Sequence, residues 1–555
     1  MGVSRWTSLI LAFLLAGPNV ASGQALELPP LIPATQEAML SGQQSVRVDR
    51  LKFVGNTAFS DSQLLAAPAG DGGRTVADFL GRELSMDELE QIRVGLTLAY
   101  VNAGYINSGA RIPDQPVPAD GELLVEIVEG RLTDIHIEGR KWLREGYLVD
   151  RLRRAARPPL NLGELKNSLE ILRQDPKLRR LNADLRPGTS PGEAVLNVAI
   201  DENFPGSLAL LFSNRRPPSV GAERFEVLAG WNNLSGRGDA LSLRYGLNKG
   251  DLDDWEWAGL DDFTISYSLP LTPIDTTLML ELERSDTTIV EPPFDQLDLE
   301  TESTRAAVTV RQPVYRTANT EFALSLGLSV QQVTNRLAGE RTNIAPGAIA
   351  GETNVTAIRF GQEFSTRSTR QAISLRSTFS LGIDAFDSNI SGGDIPDSRF
   401  FAWLGQVQYV RRVFEEGNTQ LVVRVAGQFS FDELLGPEQF AIGGIDTVRG
   451  YRENQLVRDN GVVASVELRI PLIDRKTGGE PILQFAPFID AGYAFNRRQD
   501  PDGEYLISIG AGLIFNPIRN LNAVVYYGRH LNDVSDDSGN LQDHGIHFAV
   551  TLKTP

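Results

Sequence analysis

Three groups of residues in this 555-residue chain have types and spacings that suit polar chemistry. The first is Phe440-Ala441-Ile442-Gly443-Gly444-Ile445-Asp446-Thr447-Val448-Arg449-Gly450-Tyr451-Arg452-Glu453-Asn454. A Gly-Gly pair, one arginine between an apolar residue and a glycine, then an aromatic: this is too compact and irregular for a strand. Glycines let a backbone turn back or press against another surface. The stretch therefore suits a loop that folds into something, and equally an ordinary Gly-rich surface turn. The second group is Pro487-Phe488-Ile489-Asp490-Ala491-Gly492-Tyr493. On a strand, Phe488, Asp490 and Gly492 share one face, and Ile489, Ala491 and Tyr493 the other. A carboxylate on the enclosed face accepts from a guanidinium in a geometry lysine does not reproduce; the alternative is an acid that only meets water. Glu467, alternating with Val466 and Leu468, is a second acid of that kind. The third group, His544-Gly545-Ile546-His547, invites a metal reading. Residues three apart on a strand point to opposite faces, which argues against it.

Enzymatic chemistry has little else to draw on. There are no cysteines, and His136, His530, His544 and His547 are the four histidines. This excludes disulfides, thiolate nucleophiles and Cys-ligated metals. No phosphate-loop pattern occurs, nor a nucleophile with a histidine base, so no enzyme, cofactor or metal site is expected. A net charge of −18 argues against nucleic acid as a partner.

The start of the chain reads as an export signal. Arg5 precedes an apolar run from Leu9 to Ala16, and Ala21-Ser22-Gly23 supplies small residues for cleavage before Gln24. No later stretch approaches the ~20 consecutive apolar residues of a membrane-spanning helix. Residues 1–23 are thus expected to be a signal peptide and 24–45 a Pro-rich lead-in.

The elements that follow fall into two styles. Val46, Val48, Leu51 and Phe53 predict a strand ending at Gly55. Capping boxes at Ser60–Gln63 and Ser85–Glu88 predict two helices, the second carrying Leu89, Ile92, Leu96 and Tyr100 on one face. Strands are predicted near Ile106–Ile112 and through Leu123, Val125 and Ile127. The same β-α-α-β-β order recurs. Ile135 and Ile137 lead into Gly139, Asn161 opens a helix through Leu165, Leu169 and Leu172, and Ala194–Ile200 closes before Asp201-Glu202. The two strand-to-glycine joints lie 84 residues apart (139 − 55), so two copies of one α+β module are expected, at 46–131 and 132–203. Residues 140–186 of the second copy hold 13 Lys or Arg against 6 Asp or Glu. Arg151, Arg153, Arg154, Arg157, Arg173, Lys177, Arg179 and Arg180 dominate that surplus. It suits an acidic client or anionic headgroups, or simply two solvated helices.

From Phe204 onward period-two alternation takes over. Examples are Leu241, Leu243 and Tyr245; Phe322, Leu324, Leu326, Leu328 and Val330; Val462, Ala464, Val466, Leu468 and Ile470; and Ile546, Phe548, Val550 and Leu552. Export, length and aromatics taken as interfacial girdles (Phe400-Phe401, Trp403, Tyr526-Tyr527) favour a transmembrane antiparallel β-barrel over a sandwich. At about 22 residues per strand with its turn, 204–555 accommodates roughly sixteen strands. Asp251–Asp262, Glu291–Thr301 and Ser388–Asp397 read as acidic outer loops.

A signal peptide, two such modules and a long strand-rich region together resemble the two-partner secretion transporters of the ShlB/FhaC/HecB family, with their POTRA domains. Val448-Arg449-Gly450-Tyr451, with Gly443 and Gly444, is similar to that family's sixth-loop signature, expected here at about 436–458. Phe488-Ile489-Asp490-Ala491-Gly492 resembles its Phe-x-Asp-x-Gly strand. Asn232–Asp239 and Tyr267-Ser268-Leu269-Pro270 resemble its early-barrel turn and Tyr-Ser-x-Pro strand end. The resemblance implies that the loop folds into the barrel and that Arg449 meets an acid of the wall, Asp490 first and Glu467 as the fallback. It also implies an outer-membrane translocator whose periplasmic modules capture an unfolded, adhesin- or haemolysin-like partner carrying an N-terminal secretion domain. The barrel then conducts that partner, surrounded by outer-membrane lipids. The alternative is an assembly insertase resembling BamA or TamA. Two departures stand out: residues 24–45 lack an evident counterpart to the family's plug helix, and the chain ends Leu552-Lys553-Thr554-Pro555 rather than on an aromatic.

Overall fold

The computed structural model describes residues 45–554 except 71, 116–120, 250–256, 293, 394, 416, 477–478, 499–502 and 533–538. The expected signal peptide and nearly all of the Pro-rich lead-in lie outside the described residues, as do residues 251–256 of the acidic stretch expected at 251–262.

In the first module, Arg50–Val54 runs parallel to Glu122–Val128, which pairs antiparallel with Gly109–Arg111. Helices Asp61–Leu65 and Met86–Asn102 both start with a closed capping box, at Ser60 and Ser85. Each such cap is worth about 1 kcal/mol. The long helix buries Ile92, Leu96 and Tyr100 against Val48, Leu64, Leu84 and Val125. The single strand expected from Val46 to Phe53 is two. Val46–Val48 pairs with Arg82–Leu84 instead, and Asp49 and Arg50 both donate to Gly121 O. The reason lies in parity: the buried positions move from even (Val46, Val48) to odd (Phe53), and one pleated strand cannot turn both sets to one core. The strand expected near Ile106–Ile112 is confined to Gly109–Arg111.

The second module repeats the plan. Arg131–Glu138 lies parallel to Glu193–Glu202, and Leu178–Pro187 flanks it antiparallel. Helices Glu145–Ala155 and Leu162–Arg173 bury Leu148, Leu152, Leu165 and Leu169 on this sheet. The glycine joints are one device used twice. Gly55 and Gly139 have φ of +89° and +85°, and a Cβ on either would meet the carbonyl oxygen of Ile127 or Ile200 at 2.4 and 2.1 Å. The backbone beyond each joint donates to one carboxylate from the module's end. Thr57 and Ala58 N–H meet Glu129 at 2.6 and 2.8 Å, and Lys141 and Trp142 N–H meet Glu202 at 2.8 and 2.9 Å.

The remaining chain closes into an antiparallel barrel. Among the described residues sixteen long strands run from Gly206–Ser213 to Ile546–Lys553, and these two pair to shut the ring. Short turns such as 317–319 and 368–370 alternate with long connections such as 383–400 and 431–459. Apolar side chains face outward: Val466 and Ile489 are 41% and 50% exposed, while the intervening Glu467 and Asp490 are fully enclosed. The enclosed face carries ion pairs between strands: Arg305–Glu281 joins two neighbours and Arg311–Glu363 reaches across the strand between them, both at 2.8 Å. The two early-barrel motifs meet: the Tyr267 hydroxyl donates to Asp239 at 2.8 Å.

Two expectations need correction. Phe400 and Tyr526 are not girdle residues. Alternation sends one member of each aromatic pair inward, leaving Phe400 and Tyr526 buried and Phe401 and Tyr527 exposed. The acidic stretch ending at Asp262 is not all loop, because Trp257–Pro270 is a strand. Asp262 is buried there beside Arg224 and Arg216, at 2.7 and 3.2 Å.

Candidate functional site

The connection between strands Gln420–Ser430 and Asn460–Ile473 is built to sit inside the barrel. Phe440–Ile442 and Leu456–Arg458 pair as a small antiparallel ladder. Phe440, Ile442, Val448 and Leu456 pack with Val463, Ala494 and Leu506 of the wall as one buried cluster. At the tip Gly443 and Gly444 have φ of +110° and +99°, and a Cβ on Gly444 would overlap the Glu453 carboxylate. The Thr447 hydroxyl closes the turn, donating to Gly443 O at 2.8 Å. At the foot, Arg359 of the wall holds Glu438 at 2.6 Å.

This turn delivers Arg449, 2% exposed, to the wall. Its backbone N–H and its Nε donate to Asp490 Oδ2 at 3.0 and 2.8 Å, and Nη2 donates to Asp490 Oδ1 at 2.9 Å. Nη1 donates to Glu467, and Nη2 also reaches Ser465 Oγ at 3.0 Å. The expected partner and its fallback are therefore both engaged. The strand register explains this, since Ser465 lies opposite Asp490 and Glu467 opposite Phe488 on one enclosed face. Arg469 donates to the other Glu467 oxygen at 2.6 Å. The guanidinium lies over the Phe488 ring, 3.6 Å from its centroid, and 4.8 Å from that of Tyr526. Each residue of the Phe488-x-Asp490-x-Gly492 face thus has a job. Phe488 stacks, Asp490 accepts, and Gly492 leaves room for Val448, whose Cγ2 would be 3.0 Å from a Cβ there.

Breaking such a buried pair from one side leaves an uncompensated charge, a loss of about 3–5 kcal/mol. The arrangement is a lock, holding the loop by a side chain with five donors aimed at three acceptors.

The neighbours of Arg449 extend the contact to the far end of the chain. Gly450, at φ +94°, lies against strand Leu521–His530: a Cβ would fall 2.8 Å from Gly528 O. Its N–H donates to His547 Nε2 at 3.2 Å. The Tyr451 hydroxyl donates to Ile507 O at 2.9 Å and accepts from Ile507 N–H at 3.2 Å. Arg452 binds Glu291 at 3.0 Å and also Asp543, and Glu453 N–H donates to Gln542 at 2.8 Å.

His547, Gly528, Tyr526 and Ser465 are site residues that the motifs missed. Parity was a usable signal for His547: it alternates with outward Ile546, Phe548 and Val550, so it must face in. Among the described residues no cluster of three His, Asp or Glu side chains suits a metal ion.

The basic residues of the second module divide between paired and exposed positions. Arg151 stacks on Tyr147, 3.8 Å from the ring centroid, and donates to Tyr147 O at 2.9 Å. Arg173 pairs with Glu170, Lys177 with Asp175 and Arg179 with Asp201. Arg153, Arg154, Arg157 and Arg180 are exposed, the first three around the C-terminal end of a helix, where the helix dipole favours cations.

Comparison with known proteins places this geometry. Residues 46–130 match the POTRA domain, ShlB-type. The outer membrane transporter CdiB of Dickeya dadantii (strain 3937) is 22% identical over 531 residues, 90% of each chain. The structure of CdiB from Escherichia coli aligns with a TM-score of 0.71 at 19% identity, covering 99% of this chain and 96% of that one. BamA from Haemophilus ducreyi lacking POTRA domains 1–3 aligns at 0.53 and 13% identity, covering 92% and 100%. At such identities these likenesses speak for the fold alone. Residues 192–515, more than half of the chain, match the model described as haemolysin secretion/activation protein ShlB/FhaC/HecB, and the chain belongs to that family of outer-membrane transporters.

Proposed function

We propose that the partner this transporter secretes crosses the outer membrane unfolded, and that docking of the 436–458 loop through Arg449 governs its passage. The partner is an adhesin- or haemolysin-like protein with an N-terminal secretion domain, captured in the periplasm by the modules at 46–131 and 132–203 and conducted by the barrel at 204–555. The lock of Arg449 on Asp490 and Glu467 carries this reading. A loop that only lined the lumen would not need a buried cation shared between two carboxylates.

Capture has physical support in the sheet orders. Arg50–Val54 and Gly109–Arg111 are the outer strands of the first three-stranded sheet, and Arg131–Glu138 and Leu178–Pro187 those of the second. An extended client can add to such an edge through backbone hydrogen bonds, which demand little of its sequence. Exposed Arg153, Arg154, Arg157 and Arg180 add a positive surface for an acidic client segment or for anionic lipid headgroups.

An assembly insertase shares the architecture, but the family match favours secretion. The test is co-expression with a candidate client and measurement of that client in the medium. Arg449→Ala is expected to stop secretion while the barrel still inserts; normal secretion by this variant sinks the lock. Deleting 46–203 is expected to stop export, and continued export refutes capture.

A further inference from the structure

The outward face of the barrel carries a feature that transport does not account for. Strands Glu352–Arg367, Gln371–Gly382, Phe401–Arg412 and Gln420–Ser430 are neighbours, and their register aligns side chains in rungs across them. One rung is Phe360, Phe379, Trp403 and Phe429. Four residues along each strand lies a second, Phe364, Leu375, Val407 and Val425. Between these ridges the rung is Gln362, Ser377, Gly405 and Gly427, ending on Val462 of the next strand. Two glycines and a serine between two rows of large side chains make a trench, which encloses about 580 Å³. The Trp403 indole leans over Gly405, where a Cβ would be 2.6 Å from the ring.

The trench faces hydrocarbon, because this face of an outer-membrane barrel meets the bilayer. Its length from Gln362 to Val462 is four strand spacings, ~19 Å, slightly more than one leaflet's share of a ~30 Å core. Polar groups on its floor are the second observation. Trp403 Nε1–H donates to Ser377 Oγ at 3.0 Å, so that pair satisfies itself. The Gln362 carboxamide makes no hydrogen bond among the described residues. An unpaired amide is costly in a lipid environment, so the occupant brings a polar atom to this end. Gln362 lies five positions before Arg367, the last residue of its strand. A turn at 368–370 follows, at the barrel end from which the first strand enters after the N-terminal modules. That is the periplasmic side, where inner-leaflet acyl esters lie.

We propose that this trench is a binding site for one acyl chain of a periplasmic-leaflet phospholipid, its ester carbonyl accepting from the Gln362 amide and its tail running along the Trp403 indole and over Gly427. The site rests on the membrane location of the barrel and is independent of the lock.

The probe is a phosphatidylethanolamine with a photoreactive diazirine in its acyl chain, in nanodiscs carrying the full chain. Cross-links mapped by mass spectrometry are expected to concentrate on Trp403, Gly427 and Val462 over other outward residues. Gly427→Leu fills the floor; a Cβ there has its nearest atom, the backbone oxygen of Gly461, at 3.3 Å, a tight contact that a small shift relieves. It is expected to lower trench cross-linking at least about five-fold with barrel mobility on a heat-modifiability gel unchanged. Gln362→Leu, which keeps the trench's shape, is expected to lower it as well, and carries the test alone should Gly427→Leu fail to assemble. Cross-linking spread evenly around the barrel, or insensitive to both substitutions, means ordinary surrounding lipid and overturns the site.

Discussion

The backbone N–H of Arg449, its Nε and its Nη2 all converge on the single carboxylate of Asp490. A main-chain donor in this set means that the loop's path, and not only the reach of one side chain, is registered against the wall. The remaining guanidinium nitrogen holds Glu467, so two neighbouring strands share one cation.

Charge alone is not expected to sustain this lock. Arg449→Lys keeps the cation but cannot serve Asp490 and Glu467 together, and secretion is expected to fall nearly as far as in Arg449→Ala. Asp490→Asn leaves Arg449 short of one charge, a loss of about 3–5 kcal/mol in loop docking. Proteolysis of the 431–459 connection in intact cells reads the docking: both variants are expected to be cut faster than wild type.

Gly492 tests whether the loop's packing matters apart from its charges. A Cβ there would meet Val448 Cγ2 at 3.0 Å and Ile442 Cδ1 at 3.1 Å. Gly492→Leu is expected to displace the hairpin while the barrel still assembles, with secretion lost and loop cleavage increased. A fully protected loop in this variant would exclude the proposed fit.

His547 holds the loop through an acceptor, so Nε2 carries no proton when Gly450 N–H donates to it. His547→Leu leaves that buried N–H unmatched, at a cost of about 1–3 kcal/mol. His547→Gln retains an acceptor and is expected to recover part of the loss. Hydrogen exchange at Gly450 in the reconstituted protein separates the two.

In the first module, Glu129 makes stability depend on pH. Burial raises its carboxyl pKa, but hydrogen bonds from Thr57, Ala58 and Tyr100 outweigh this and hold it below the usual 4.5. A depressed carboxylate stabilises the fold fully above 4.5 and loses that contribution as pH falls through the lower folded value. Glu129→Gln is therefore expected to speed amide exchange at Thr57 and Ala58 at neutral pH by about ten-fold or more. As the medium is acidified below pH 4.5, wild type is expected to approach the variant.

Local periodicity was enough to reveal much of this molecule. Alternation of period two assigns inward and outward faces without knowledge of neighbours, so it placed Glu467 and Asp490 inside and Val466 and Ile489 outside. Capping boxes at Ser60 and Ser85 and the glycine joints at Gly55 and Gly139 were equally visible, because each is set by residues close in sequence. Parity also marks the break at Asp49 and the inward turn of Tyr526, although adjacency suggested otherwise. What the chain's order could not supply was register between distant strands. Gly450 meets Gly528 and His547, and Gln362 lines up with Ser377, Gly405 and Gly427, only because the barrel closes with each ladder at one particular offset. That offset is a cooperative property of the whole ring. Tertiary structure alone therefore decided that one arginine would serve two acids, that a histidine near the end of the chain would hold the loop's glycine, and that Gly427 would stand between two ridges of large side chains facing lipid.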